Sequence, residues 1–185
     1  NRNWGVNKRV VIGRSKSQRS MLESDLKVDI NNGCVLIVSQ PELKDRLIED
    51  VREIRRNNPD ILIVIKLHPQ EKVSYKKKYS SLIDENMAEF IEDFDGLRGR
   101  TLRCALGYKS TLLFEFSCVY VPIGIISRSL GEDQKYREEL GLPKQISFFR
   151  PSSNFDSFSN GLKNIIFFEE ENFNELIEVL CETCV

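Results

Sequence analysis

Two short stretches leave this chain little freedom in how it folds: Cys34-Val35-Leu36-Ile37-Val38 and Ile61-Leu62-Ile63-Val64-Ile65. Each is a continuous apolar run rich in β-branched residues, without the polar alternation of a strand that faces water on one side. Such a strand must be covered on both faces, which is the situation of a parallel sheet. Between the runs lies an amphipathic segment with Leu43, Leu47, Ile48, Val51 and Ile54 on one face. Lys44, Asp45, Arg46, Glu49, Asp50, Arg52 and Glu53 fall on the other, which is expected to be a solvated surface. Ser39 with Glu42 three residues on has the spacing of a capping box, Pro41 suits a first helical turn, and Asn57-Asn58-Pro59-Asp60 ends the helix. Strand, helix and strand make a βαβ unit, and helices then cover both faces of the sheet.

The remainder repeats the alternation more weakly. Glu71 to Ser81 is polar, Lys-rich and expected to be helical, with Lys76-Lys77-Lys78 exposed. Glu89-Phe90-Ile91 and Thr101 to Leu106 read as strands, with a turn at Asp93-Phe94-Asp95-Gly96 between them. Leu112 to Cys118 reads as a buried helix. Val119 to Ile123 reads as a strand, with Pro122 placing it near an edge or a strand end. Gly131 to Leu140 reads as a polar helix, Asn164 to Phe168 as a strand, and the segment from Asn172 as a last helix with Phe173, Leu176, Ile177, Leu180 and Cys181 on its apolar stripe. Residues 1–32 differ: a short strand, Arg9 to Gly13, runs into a basic, linker-like stretch, Arg14 to Ser20. The expected organisation is therefore the end of a preceding domain and a linker over 1–32, then one α/β domain over 33–185. The first residue is Asn rather than Met, which fits a chain cut from something longer.

Composition removes several classes. At 185 residues the chain is long enough for one real core, and an apolar fraction of 41 % argues against disorder. The 27 basic and 28 acidic residues give a net charge of −1, so there is no global drive towards nucleic acid. Five dispersed cysteines do not make a disulfide framework, and Cys181-Glu182-Thr183-Cys184 lacks a second ligand pair for zinc. No metal is expected. No apolar stretch reaches the roughly 18 residues of a membrane span, so the expected location is the cytoplasm.

In open parallel sheets, ligands bind outside the carboxyl ends of the strands, and three places there carry unusual residues. Lys66-Leu67-His68-Pro69 puts the only histidine directly after the most apolar strand. His68 suits donation to a phosphate oxygen, with Lys66 adding positive potential, and it equally suits capping the turn that Pro69 begins. Gly107-Tyr108-Lys109-Ser110-Thr111 opens a helix, where free N–H groups and the hydroxyls of Ser110 and Thr111 suit a phosphate, or an ordinary cap. Gly107 permits close backbone approach. Walker spacing is absent. Glu115 follows Thr111 by four residues, on the same helix face, where it can accept ribose hydroxyls or stand in solvent.

Together, a strand ending Lys-x-His-Pro and a later Gly-x-x-Ser-Thr-x-x-x-Glu helix start resemble the C-terminal half of GT-B-type glycosyltransferases. The pattern is similar to capsular polysialyltransferases and other bacterial sialyltransferases, and to CDP-glycerol glycerophosphotransferases. Non-hydrolysing UDP-N-acetylglucosamine 2-epimerases share the half-domain architecture. The resemblance covers residues 33–125 best. It implies a Rossmann-like, doubly wound α/β domain that holds a nucleotide-sugar donor, CMP-, CDP- or UDP-linked, for transfer to a glycan acceptor. It implies a catalytic His68, with Pro69, at the donor phosphate and sugar, Ser110 and Thr111 on phosphate, and Glu115 by the ribose or base. The base that activates the acceptor is then expected in the N-terminal domain of the same protein, and the full protein at the inner face of the membrane. An epimerase-like use of the half-domain and a non-catalytic interaction module are the alternatives. Lys66, Arg100, Arg103 and Lys109 are expected to face one phosphate site.

Overall fold

A computed structural model describes residues 26–110, 112, 113, 116, 121–140, 142 and 146–162. Its seven strands are β1 (Lys27–Val28), β2 (Cys34–Val38), β3 (Ile63–Lys66), β4 (Glu89–Ile91), β5 (Thr101–Gly107), β6 (Ile123–Ile126) and β7 (Ser147–Phe149). The helices are α1 (Lys44–Asn57), α2 (Tyr75–Lys78), α3 (Ser80–Asp84), α4 (Leu130–Leu140) and α5 (Phe155–Leu162). All strands join one parallel sheet in the order β4-β3-β2-β5-β6-β7, and β1 pairs with the start of β5.

The two apolar runs are the reason for this arrangement. Every residue of β2 is buried, and β2 pairs with β3 in the register Val35↔Ile63 to Val38↔Lys66. Alternate side chains feed two cores. Leu36 and Val38 pack with Leu113, Phe116, Val121, Ile125 and Leu140 on one face. Val35 and Ile37 pack with Leu47, Val51 and Ile54 of α1, and with Leu82, Cys104, Leu106 and Phe155, on the other. The sheet is therefore covered on both sides. Gly33, just ahead of β2, is required by this packing, because a Cβ there would stand 2.7 Å from the Arg103 nitrogen of β5.

From β2 the chain builds outwards through β3 to β4, then returns to the other side of β2 with β5 and builds outwards again through β6 and β7. Strand order thus reverses between β2 and β5. In doubly wound sheets the loops leaving two such strands diverge, and the crevice between them is where ligands enter.

Several local expectations are corrected. The strand expected at 119–123 is Ile123–Ile126, with Pro122 just before it, where the missing N–H is not needed and the Pro122 carbonyl accepts from the Ala105 N–H at 2.8 Å. It lies between β5 and β7, so of the two placements weighed for Pro122 the strand end holds and the edge does not. The helix expected over 71–81 is broken: a 3-10 turn at Pro69–Glu71 precedes α2 and α3, which are separated at Tyr79, whose ring is fully buried. The turn at Asp93–Gly96 is a 3-10 helix, Phe94–Leu97. Strands β1 and β7 and helix α5 were not expected. The strand at Arg9–Gly13, the strand at Asn164–Phe168, the last helix, and Cys118, Cys181 and Cys184 lie outside the described residues. Among the described residues no helix is long and apolar enough to cross a membrane.

Candidate functional site

The loops leaving β2 and β5 flank the switch point. The first is Ser39-Gln40-Pro41, the second Tyr108-Lys109-Ser110. They touch through Gln40, whose side-chain oxygen accepts the Lys109 backbone N–H at 2.8 Å. The capping box expected at Ser39 does not form: Gln40 occupies the cap position, without a side-chain cap bond. Ser39 is fully buried and donates its hydroxyl to Glu71 at 2.5 Å.

That bond belongs to a network under the β3 loop. Glu71 is a fully buried carboxylate that accepts from the Ser39 hydroxyl and, at 2.6 Å, from the Tyr79 hydroxyl. The His68 N–H donates to the Ser39 oxygen at 2.8 Å and leans on Glu71 at 3.4 Å. Among the described residues no cation reaches Glu71; hydroxyl and backbone donors meet the need of a buried acid for hydrogen bonds. Burial, with Glu71 alongside, pushes the Tyr79 hydroxyl up, so it stays a donor. The His68 ring caps the 3-10 turn through Nδ1, which accepts the Gln70 N–H at 3.3 Å. This leaves Nε2 to face a ligand, on a half-buried side chain at the carboxyl end of β3. Pro69, at the first position of the turn, is exposed. Both roles weighed for His68 are compatible here: one nitrogen caps and the other remains available.

On the β5 side, a Cβ added to Gly107 would meet only ordinary contacts, Leu113 Cδ2 and Val38 Cβ at 3.6 Å. Protein packing therefore does not demand glycine at this position. Ser110 is half-buried, its carbonyl accepts the Leu113 N–H at 3.1 Å, and helical backbone follows at Leu112 and Leu113. Lys109 is exposed; its ammonium pairs with Glu139 of α4 and lies 5.4 Å from the Tyr136 ring centre. The Lys109 hydrogen bond holds the Glu139 carboxyl low. Thr111 and Glu115 lie outside the described residues.

Beside these loops stands a junction that sequence reasoning missed. Asp50 of α1 is fully buried, not on the solvated face assigned to it. It accepts from the Tyr108 hydroxyl at 2.7 Å, from Arg128 at 2.8 and 2.6 Å, and from Arg46 at 3.4 Å. Arg46 continues to Glu132 of α4 and stacks 5.0 Å from the Tyr108 ring centre. Arg128 also reaches Glu49 at 2.9 Å. Although burial works against it, the Arg46 guanidinium and the Arg128 N–H bring the Glu132 carboxyl down to about 2. Burial, reinforced by Asp50, pushes the Tyr108 hydroxyl up. The signal for Asp50 was present: it lies three residues after Leu47 and four before Ile54, inside the apolar stripe.

The expected cluster of four cations is corrected. Lys66 is only 6 % exposed and donates to the carbonyls of Leu67 and Glu92 at 2.9 and 3.0 Å, with the Phe94 ring 5.4 Å away. Burial, then Lys72, pushes its ammonium down. Arg100 precedes β5 and pairs with Glu89 at 2.8 Å, at the amino end of that strand. Arg103 pairs with Asp156 at 2.6 Å, across the face that α5 covers. The structure brings together His68, Pro69, Gly107, Lys109 and Ser110 at one end of the sheet, and turns Lys66, Arg100 and Arg103 elsewhere. Among the described residues no group of His, Cys, Asp and Glu is arranged to hold a metal ion.

No family model matches this chain, and no curated protein matches it. Among solved structures, it is similar to the Methanocaldococcus jannaschii UDP-GlcNAc 2-epimerase in complex with UDP-GlcNAc and UDP, at 16 % identity and a TM-score of 0.43, over 89 % of this chain and 48 % of that one. It is also similar to the wall teichoic acid polymerase TagF, at 16 % identity and a TM-score of 0.42, over 95 % of this chain and 44 % of that one. The chain spans about half the length of each.

Proposed function

We propose that residues 33–185 form the donor-nucleotide-binding domain of a glycosyltransferase that acts in surface or capsular polysaccharide synthesis. The observation that carries this reading is the placement of His68 and of Gly107 to Ser110 on loops at the carboxyl ends of β3 and β5, either side of β2 at the switch point. Two strand spacings, about 10 Å, separate those loops, within reach of one nucleotide-sized ligand.

In this reading the Nε2–H of His68 donates to the departing phosphate, and the helix start at Ser110 seats that phosphate with backbone N–H groups and its hydroxyl. Pro69 fixes the exit of the β3 loop. Lys109 exchanges Glu139 for the ligand, and Gly107 leaves room for close approach. The resemblance gives Thr111 to the phosphate and Glu115 to the ribose or base. Lys66 supplies only long-range potential. The acceptor glycan and its activating base belong to another domain of a cytoplasmic or inner-face enzyme, so this chain binds nucleotide without transferring sugar.

A thermal-shift panel of CMP, CDP, UDP and GDP at millimolar concentration tests the reading, since a ligand of the folded state stabilises by mass action. At least one cytidine or uridine nucleotide is expected to raise the Tm. His68→Ala, Ser110→Ala and Gly107→Ala are each expected to diminish that rise. A rise that is equal in all four proteins removes the assigned site, and no rise with any nucleotide removes the function.

A further inference from the structure

Lys72-Val73-Ser74-Tyr75-Lys76-Lys77-Lys78 holds four lysines and no acid. The preceding Glu71 is turned inward to Ser39 and Tyr79. Elsewhere among the described residues Lys44, Lys109 and Lys135 pair with carboxylates and Lys66 donates to carbonyls, whereas these four, like Lys27, have no ion-pair or side-chain hydrogen-bond partner among the described residues. The segment is also held in shape. Tyr75 and Tyr79 pack on Phe90 at 5.7 and 5.3 Å between ring centres, which anchors the segment, and Lys72, Ser74 and Lys78 are half-buried. Lys76 and Lys77 are exposed, and Val73 is completely exposed, at 101 %.

A single exposed apolar side chain is ordinary. Val73 is informative because it is the most exposed large apolar residue among those described and stands within an unneutralised basic run. The second, Leu130, 80 % exposed, follows the carboxyl end of β6, so both apolar tips lie at the same end of the sheet. Lysines around a protruding apolar tip match an interface that offers anionic headgroups above an apolar layer. A soluble polyanion would reward the lysines but not the valine.

We propose that the segment Lys72–Lys78 docks this protein on an anionic phospholipid surface, with Val73 entering the interface and the lysines facing the headgroups. The proposal uses residues outside the nucleotide site, so it stands or falls separately from the function proposed above. Docking there would set the His68 loop, four residues ahead of Lys72, close to the bilayer.

Co-sedimentation of the full chain with vesicles of pure phosphatidylcholine, and with vesicles containing phosphatidylserine, tests the proposal. Binding is expected only to the anionic vesicles and is expected to weaken with salt. Replacing Lys76 and Lys77 together by Gln is expected to weaken it about 25-fold, at roughly fivefold per lysine. Val73→Ser is expected to weaken it several-fold with the salt dependence unchanged. All three positions are exposed, so circular dichroism should report unaltered folding. No binding to anionic vesicles, equal binding to neutral ones, or indifference to the lysine changes overturns the proposal. Loss with the lysine changes but none with Val73→Ser overturns the lipid assignment in favour of a soluble polyanion.

Discussion

Two fully buried carboxylates, Glu71 and Asp50, stand beneath loops at the carboxyl end of the sheet, and they are satisfied in opposite ways. Glu71 takes neutral donors from Ser39, Tyr79 and the His68 backbone. Asp50 takes two guanidinium groups, Arg46 and Arg128, with the Tyr108 hydroxyl. The first network closes on itself and shapes one loop, so the His68 backbone is held by Ser39 and Glu71. The second spreads outward through Arg46 to Glu132 and through Arg128 to Glu49, and ties α1 to α4 across the ends of β2, β5 and β6. A hydroxyl network shapes a site; a charged network joins elements and depends on every member.

That contrast sets the order of mutational effects. The largest is expected for Asp50→Ala, which leaves two guanidinium groups without their buried acceptor. A loss of about 3–5 kcal/mol is typical for breaking a buried ion pair from one side, and urea denaturation measures it. If Asp50→Ala costs no more than removal of a Glu71 donor, the contrast fails.

Acid comes next. Glu132 sits at about 2 in the folded chain against an ordinary 4.5. A carboxyl with a depressed folded pKa gives its full stabilisation above about 4.5 and loses it as pH falls towards about 2. The loss is on the order of 3 kcal/mol. The unfolding free energy should fall across that window, and Glu132→Gln should flatten the fall. An unchanged slope in that variant would mean that the α1–α4 link carries no stabilisation.

The smallest effect belongs to the network of hydroxyl donors around Glu71. Tyr79→Phe removes one donor from Glu71 while keeping the ring on Phe90, and should cost about 1–2 kcal/mol. A larger loss would show that Glu71, like Asp50, depends on every partner.

The sequence displayed the sheet more clearly than the site. The βαβ unit was legible because burial on both faces forces unbroken apolar runs, as at Val35–Val38 and Ile63–Ile65. The central strand β5 read as weak because Arg103 interrupts it; its partner Asp156 lies more than fifty residues on, in a helix whose signal, Asn154 ahead of Phe155, Phe158 and Leu162 at helical spacing, was present but missed. The positions of His68, Gly107 and Ser110 were legible because they stand at or just beyond strand ends. What hid was any role set by a distant partner: Ser39 has the spacing of a cap but bonds Glu71, and Lys66 points to Glu92 rather than to the crevice. Asp50 was legible in spacing alone, since its charge argued for solvent until Arg46 and Arg128 were placed beside it.

The central claim is that the crevice at the switch point takes a nucleotide. Amide chemical-shift mapping of the labelled chain, titrated with the nucleotide that raises the Tm most, tests it most directly. The account predicts the largest shifts at Gln40, His68, Gly107, Lys109 and Ser110, with little change at Gly96 and Ala88. Shifts centred on Gly96 and Ala88, with the switch-point amides unmoved, would contradict it.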